Sequence, residues 1–137
     1  VASKLMTYKE PWSVNTFAQH AAMVALEDRE FVSKSRELIF REQSYLFSEL
    51  SGINGLVPYK PTANYLFIKI RRDGVTSSWL RKQLLGLGIA IRDCSNFTGL
   101  NDTYFRVAVR TREENMRLIA ALKSVITGCQ YTAGNER

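Results

Sequence analysis

The 137 residues hold 19 lysines and arginines against 13 acids, a formal charge of +6, with 45% hydrophobic side chains. One domain suits that length and the apolar share is enough for a core; no apolar run reaches the roughly 18 residues of a membrane span, and Val1 to Met6 lacks the apolar stretch of a signal peptide. The cations are interleaved with acids, as at Glu30 and Lys34 or Glu37 and Arg41, so the charge reads as solvated helix surface and argues against a nucleic-acid-binding stripe.

In chain order, Pro11-Trp12-Ser13 opens a first helix over Val14 to Glu27, with Ser13 as its cap, and Asp28 breaks it. A long helix follows from about Arg29 to Leu50. Phe31, Leu38 and Tyr45, with Val32, Ile39 and Leu46, recur every seven residues and draw one apolar stripe. Gly52 closes it, and Pro58 and Pro61 bracket an irregular connection. Asn64 to Ile70, nearly all apolar, reads as a strand buried on both faces. Asp73-Gly74 is a turn. Thr76 or Ser77 caps a helix that runs through Leu85 and stops at Gly88. Ile89 to Arg92 is a short strand, Asn96 to Asp102 a loop, and Tyr104 to Arg110 another strand. Thr111-Arg112-Glu113-Glu114 is a capping box, and Leu118, Ile119, Leu122, Val125 and Ile126 give the last helix its apolar face. The order of elements predicts an α+β two-layer domain with a short sheet of about three strands packed against helices.

The two strands after Gly88 hold the informative residues. Side chains alternate along a strand, so Phe105, Val107 and Val109 face one way and Arg106, Ala108 and Arg110 the other, while Ala90 and Arg92 oppose Ile89 and Ile91. Arginine within a short apolar strand needs a partner: an internal carboxylate, water at the strand's rim, or an external anion, whose oxygens a guanidinium fork meets two at a time. Arg110, beside the capping box, reads as pairing locally. His20 reads as a packed or exposed helix residue and Cys94 as a small hydrophobe. Cys94, Cys129 and His20 make no metal-ligand pattern and imply no metal site; the thiols are those expected of a cytoplasmic protein. Gly86-Leu87-Gly88 closes a helix and is therefore no phosphate loop.

Pro11-Trp12-Ser13-Val14-Asn15, Ala63-Asn64-Tyr65-Leu66-Phe67, Ile91-Arg92-Asp93-Cys94, Asn96-Phe97, Gly99-Leu100 and Tyr104-Phe105-Arg106-Val107-Ala108-Val109-Arg110-Thr111 stand in an order that resembles one family. It is the pyridoxal-phosphate-dependent aminotransferases of class I/II, in their C-terminal part. Within it the stretch from Ile91 to Leu122 is more similar to the L-threonine-O-3-phosphate decarboxylases than to the histidinol-phosphate aminotransferases.

The resemblance implies the small domain of the fold-type I enzymes of that cofactor. It implies Arg106 as the arginine that holds the substrate's α-carboxylate and Arg92 as the one that holds a substrate phosphate, with Asn15 and Asn64 near the cofactor cleft in no assigned role. It also implies pyridoxal phosphate as cofactor, a phosphorylated amino acid as substrate, a large domain of the same chain as partner, a homodimer, and a place in cobalamin biosynthesis. The family's Schiff-base lysine lies well upstream of the Pro-Trp-Ser-Val-Asn stretch; Lys4, seven residues before Pro11, does not match it, and no residue of this chain is assigned a catalytic or cofactor-binding role. The expectation is thus one C-terminal domain over residues 1–137, with a leader over 1–10 and a frayed tail over 130–137, inactive by itself and unable to bind the cofactor covalently. A related aminotransferase domain is the first alternative, and a freestanding, non-catalytic binding module of the same fold is the second.

Overall fold

A computed structural model of the chain describes residues 4, 7, 8 and 13–128. Most of the expected leader, the expected tail from 130 and Cys129 lie outside the described residues. The chain divides into two compact units, Val1–Arg36 and Glu37–Arg137.

The first unit holds helix α1 (Thr16–Glu27) and the start of α2 (Arg29–Ser51). The cap of α1 is Asn15 and not Ser13: its Oδ1 accepts the Ala18 N–H at 2.9 Å, and asparagine caps at least as well as serine. Asp28 ends α1 and starts α2, its carboxylate accepting the Phe31 N–H at 2.9 Å. Glu30 and Lys34 pair at 2.6 Å as expected, whereas Arg41 turns away from Glu37 to lie 3.4 Å from Glu42. No residue of α1 is buried, and Phe17 and Leu26 are 89% and 75% exposed. No helix among the described residues is long and apolar enough to cross a membrane.

The second unit is a two-layer α+β domain. Strands β1 (Leu56–Pro58), β2 (Tyr65–Ile70), β3 (Arg92–Asp93) and β4 (Tyr104–Ala108) form one antiparallel sheet in the order β1-β2-β4-β3. Helices α3 (Ser77–Gly86) and α4 (Arg112–Gly128) and the C-terminal half of α2 supply the second layer. One sheet face, Leu56, Leu66, Ile68, Ile70, Phe105 and Val107, is buried in a single core with Leu46, Leu50, Leu80, Leu84, Leu118, Ile119, Leu122 and Ile126 from the three helices. The apolar stripe of α2 is therefore buried only toward its C-terminal end; Phe31 is 62% exposed.

Three further expectations change. The sheet has four strands, because Leu56–Pro58 forms an edge strand inside the stretch read as irregular; an edge tolerates proline since one side of its backbone needs no partner. The strand expected over Ile89 to Arg92 shrinks to Arg92–Asp93. Gly88, at φ +72°, and Ile89 are taken up in closing α3, with the Gly88 N–H on Leu85 O at 3.0 Å and the Ile89 N–H on Leu84 O at 2.9 Å, the paired bonds of a Schellman motif. Gly52 is not left-handed; that role falls to Gly55 at φ +91°, whose carbonyl accepts the Arg71 N–H at 2.8 Å.

Candidate functional site

Arg92 and Arg106 are direct cross-strand partners in the β3–β4 ladder. Directly opposed residues of an antiparallel pair point to the same face, so both guanidinium groups emerge together on the sheet face away from the helices. The same register places Tyr65, Phe67 and Lys69 of β2 and Tyr104 and Ala108 of β4 on that face. The expectation that β2 is buried on both sides fails here: its burial alternates, with Leu66, Ile68 and Ile70 buried and Tyr65, Phe67 and Lys69 more open. The apolar look of that strand comes from aromatic rings that cover one another and the cations. Tyr59 and Phe67 centroids lie 5.4 Å apart, Phe67 stacks on Tyr104 at 5.2 Å, and the Arg106 guanidinium lies 4.4 Å from the Tyr65 ring centroid.

Phe97, from the loop after β3, stands near both arginines, 5.4 Å from Arg92 and 5.7 Å from Arg106. Among the described residues no carboxylate forms an ion pair with either arginine. Arg92 has one weak contact, its Nη2 reaching Asn96 Oδ1 at 3.5 Å, and the Arg106 Nε is buried without a hydrogen-bond partner. Such an orphaned charged donor is costly, and the Arg106 side chain also borders a cleft. That cleft, about 490 Å³, is lined by Arg106, Phe97, Tyr65, Tyr59, Lys60 and Thr98 among others.

The surroundings are fixed by polar contacts that local sequence patterns do not disclose. The Asp93 carboxylate accepts from the Ser77 hydroxyl at 2.8 Å and the Ser95 N–H at 2.9 Å, tying β3 to the start of α3. Burial pushes Asp93 up, but these bonds outweigh it and hold the carboxyl below its ordinary value. Cys94, fully buried as expected of a small hydrophobe, has its thiol pushed up by that burial. At the far end of the face the hydrogen bond from Lys69 draws the Tyr104 phenol down, and Tyr59, bonded to Tyr104, is raised.

Arg110 pairs locally, as expected: its Nη2 lies 2.7 Å from Glu114, the acid of the capping box. A second cleft of about 370 Å³ opens where β3 falls short, beside Ile89, Ala90 and Ala108, but its charged pair Arg110 and Glu114 satisfy each other. His20 and Lys4 are exposed, and among the described residues no cluster of three or more His, Cys, Asp or Glu is placed to hold a metal ion. Asn15 spends its side chain on the α1 cap, and the Asn64 carbonyl accepts the Val109 N–H at 2.9 Å. The aromatic lining, Tyr59, Tyr65, Phe67 and Tyr104, was absent from the sequence-based site; the period-2 spacing of Tyr65, Phe67 and Lys69 is the signal that marks it.

Comparison with known proteins shows what the chain as a whole is similar to. The sequence model of the family described as aminotransferase class I and II matches residues 1–122. A protein of Caldanaerobacter subterraneus subsp. tengcongensis, provisionally named a threonine-phosphate decarboxylase, is 40% identical over 122 residues, 89% of this chain and 33% of its own length. The histidinol-phosphate aminotransferase of Methanosphaera stadtmanae is 33% identical, over 90% of this chain and 34% of its own. Among solved structures, the histidinol-phosphate aminotransferase of Clostridium acetobutylicum superposes with a TM-score of 0.77 at 30% identity, covering 93% of this chain and 38% of that one. The chain thus spans about a third of the length of the curated relatives it matches.

Proposed function

Because the chain belongs to the aminotransferase class I and II family, we propose that its two-arginine face is the substrate-anion site of a pyridoxal-phosphate-dependent L-threonine-O-3-phosphate decarboxylase. The observation that carries this reading is the direct pairing of Arg92 with Arg106 on one face, with no carboxylate paired to either. L-threonine O-3-phosphate carries two anionic groups, a carboxylate and a phosphate, on one short skeleton. Histidinol phosphate carries the phosphate alone, and in an aminotransferase the second guanidinium would meet the carboxylate of the amino-acid or 2-oxo-acid co-substrate instead.

Arg106 takes the α-carboxylate and Arg92 the phosphate. Anchored at both ends, the substrate is held with one bond at Cα fixed in direction, and orientation of that kind is this domain's contribution. Pyridoxal phosphate, when bound, supplies the electron sink for chemistry at Cα. The residues of the cleft do not fit that cofactor: the lining beside Arg106 contains no aspartate or glutamate to meet a pyridine nitrogen, and Lys4 does not match the family's lysine. The cofactor's own contacts are assigned to a large domain. On this reading the 137 residues form the C-terminal part of a homodimeric, cytoplasmic enzyme of cobalamin biosynthesis and do not turn over substrate by themselves. Added pyridoxal phosphate is expected to give no stoichiometric absorbance band with this chain alone; a band abolished by Lys4→Ala overturns that assignment.

A second reading, a histidinol-phosphate aminotransferase, draws support from the relatives and the solved structure of that name. Assay of the intact protein separates the two. Release of CO2 from L-threonine O-3-phosphate with no amino transfer supports the decarboxylase. Amino transfer between histidinol phosphate and a 2-oxo acid supports the alternative, and phosphate binding without either reaction supports a non-catalytic module.

A further inference from the structure

We infer that Phe97 is the positioning residue that lets the two like-charged arginines share one face. This rests on the anion-site reading above. Like charges directly opposed across an antiparallel pair repel, and Arg92 and Arg106 are so opposed, without an acid between them. What stands beside both is a ring. The Phe97 centroid lies 5.4 Å from the Arg92 guanidinium and 5.7 Å from that of Arg106, each within the range where the negative face of an aromatic ring attracts a cation. A carboxylate in that place would take up N–H donors of both guanidinium groups, whereas a ring that attracts a cation through its π face forms no such bonds. The ring therefore steadies both cations without occupying the edges that grip an anion.

The backbone fixes the ring. Phe97 donates its N–H to Cys94 O and accepts the Leu100 N–H on its own carbonyl, both at 3.0 Å, and Gly99 takes a left-handed φ of +82° that lets the loop turn back. Cys94, buried beneath, donates its N–H to Tyr104 O at 3.0 Å, which ties this loop to the strand that carries Arg106. Asn96, one residue before the ring, reaches Arg92 through its Oδ1. The Asn96-Phe97 pair thus organises the two arginines from one loop.

The test is titration of the intact protein with inorganic phosphate, followed by calorimetry, in the parent and in Phe97→Leu, Phe97→Tyr and Arg92→Ala. Leucine keeps the apolar cover and removes the ring's quadrupole; tyrosine keeps the ring. Phe97→Leu is expected to bind phosphate roughly fivefold more weakly, the scale of a partly exposed cation–π contact to each arginine. Phe97→Tyr is expected to stay within about twofold of the parent, which simple loop packing would not require of a polar ring. Unchanged melting temperatures in both variants separate the effect from misfolding. If Arg92→Ala loses phosphate while Phe97→Leu binds like the parent, or if Phe97→Tyr is as weak as Phe97→Leu, the positioning role is wrong and the anion site stands. If Arg92→Ala binds phosphate like the parent, the anion-site reading has failed and this inference with it.

Discussion

Arg112, in the first turn of α4, grips the carboxylate of Glu42 on α2 with two donors: Nε lies 2.9 Å from Oε2 and Nη2 3.1 Å from Oε1, across 70 residues of sequence. Glu42 is 1% exposed and also accepts from Asn115 Nδ2 at 3.2 Å, while Arg112 lies over the Tyr45 ring at 3.7 Å. Asn115 in turn brackets Arg110, its Oδ1 accepting the Arg110 N–H at 3.1 Å and its Nδ2 donating to the Arg110 carbonyl at 2.9 Å. The cluster joins the long helix to the end of the strand that carries Arg106. A buried charge that loses its partner costs more than a pair removed together. Arg112 is half-exposed and finds water when Glu42 is neutralised; Glu42 is buried and, when Arg112 is lost, keeps only Asn115 and the longer 3.4 Å contact with Arg41. We expect Glu42→Gln to lower unfolding stability by about 1–2 kcal/mol and Arg112→Met to lower it more, read from denaturant midpoints. The reverse order would show that the pair's cost is set by packing and not by the stranded charge.

Acid should weaken the fold through a second carboxylate. The hydrogen bond from Arg110, together with those from the Thr111 hydroxyl and N–H, pulls the Glu114 carboxyl from 4.5 to about 2. A pKa lowered in the folded state means stability that is fully present above the unfolded value and lost as pH falls toward the folded one. The window is therefore pH 4.5 down to about 2. Glu114→Gln should remove part of the decline in melting temperature over that window and leave the rest, since Glu42 is also lowered, chiefly by Arg112. Parallel pH profiles for parent and variant would contradict this. Thr111→Ala, which removes the cap but no charge, should cost about 1 kcal/mol at neutral pH.

Two glycines two residues apart should respond in opposite directions. Gly88 has φ +72°, and a Cβ there would come within 3.1 Å of Arg117 Nη2, which donates to Leu87 O at 2.8 Å. Gly86 is the last residue of α3, and a Cβ on it meets nothing within 4 Å. Gly88→Ala should destabilise by about 1 kcal/mol or more, because L residues avoid the left-handed region. Gly86→Ala should be neutral or stabilise by up to about 1 kcal/mol through helix propensity and a less flexible unfolded chain. Thermal melts of the two variants decide it, and loss of stability in Gly86→Ala would refute the contrast.

What was legible in the sequence is what repeats locally or sits at a boundary. The period of two put Arg106 opposite Phe105 and Val107, the spacing of Thr111 and Glu114 announced the capping box, and Gly88 marked the end of α3. What escaped has a physical reason in each case. Leu56–Pro58 is too short to show a period, and its proline disguises an edge strand. Ile89 to Ile91 reads as strand by composition, but Ile89 is claimed by the closing turn of α3. Glu42 sits among polar neighbours on a long helix and becomes a buried anchor only through Arg112 and Asn115, 70 and 73 residues away. The aromatic wall of the site was hidden by counting Tyr65 and Phe67 as core, when their face is open.

The roles proposed for the two arginines can be told apart by which substrate group each variant neglects. Both residues emerge on one face as cross-strand partners, so a change at one leaves the other's strand in place. Arg106 is the more deeply set, with its Nε buried and its guanidinium 4.4 Å from the Tyr65 ring. Arg106→Lys keeps the charge but loses the planar fork, and lysine cannot meet a carboxylate with two parallel bonds. A charge-assisted hydrogen bond contributes roughly 1.5–3 kcal/mol, so kcat/KM of the intact enzyme for L-threonine O-3-phosphate should fall about 10- to 100-fold. On the proposed assignment, Arg92→Ala leaves the carboxylate contact intact and removes the phosphate contact. It should therefore erode the preference for L-threonine O-3-phosphate over unphosphorylated L-threonine, lowering kcat/KM for the first far more than for the second. Measured side by side, equal losses on both substrates in Arg92→Ala would reject Arg92 as the phosphate reader. A full retention of kcat/KM in Arg106→Lys would reject two-pronged capture of the carboxylate.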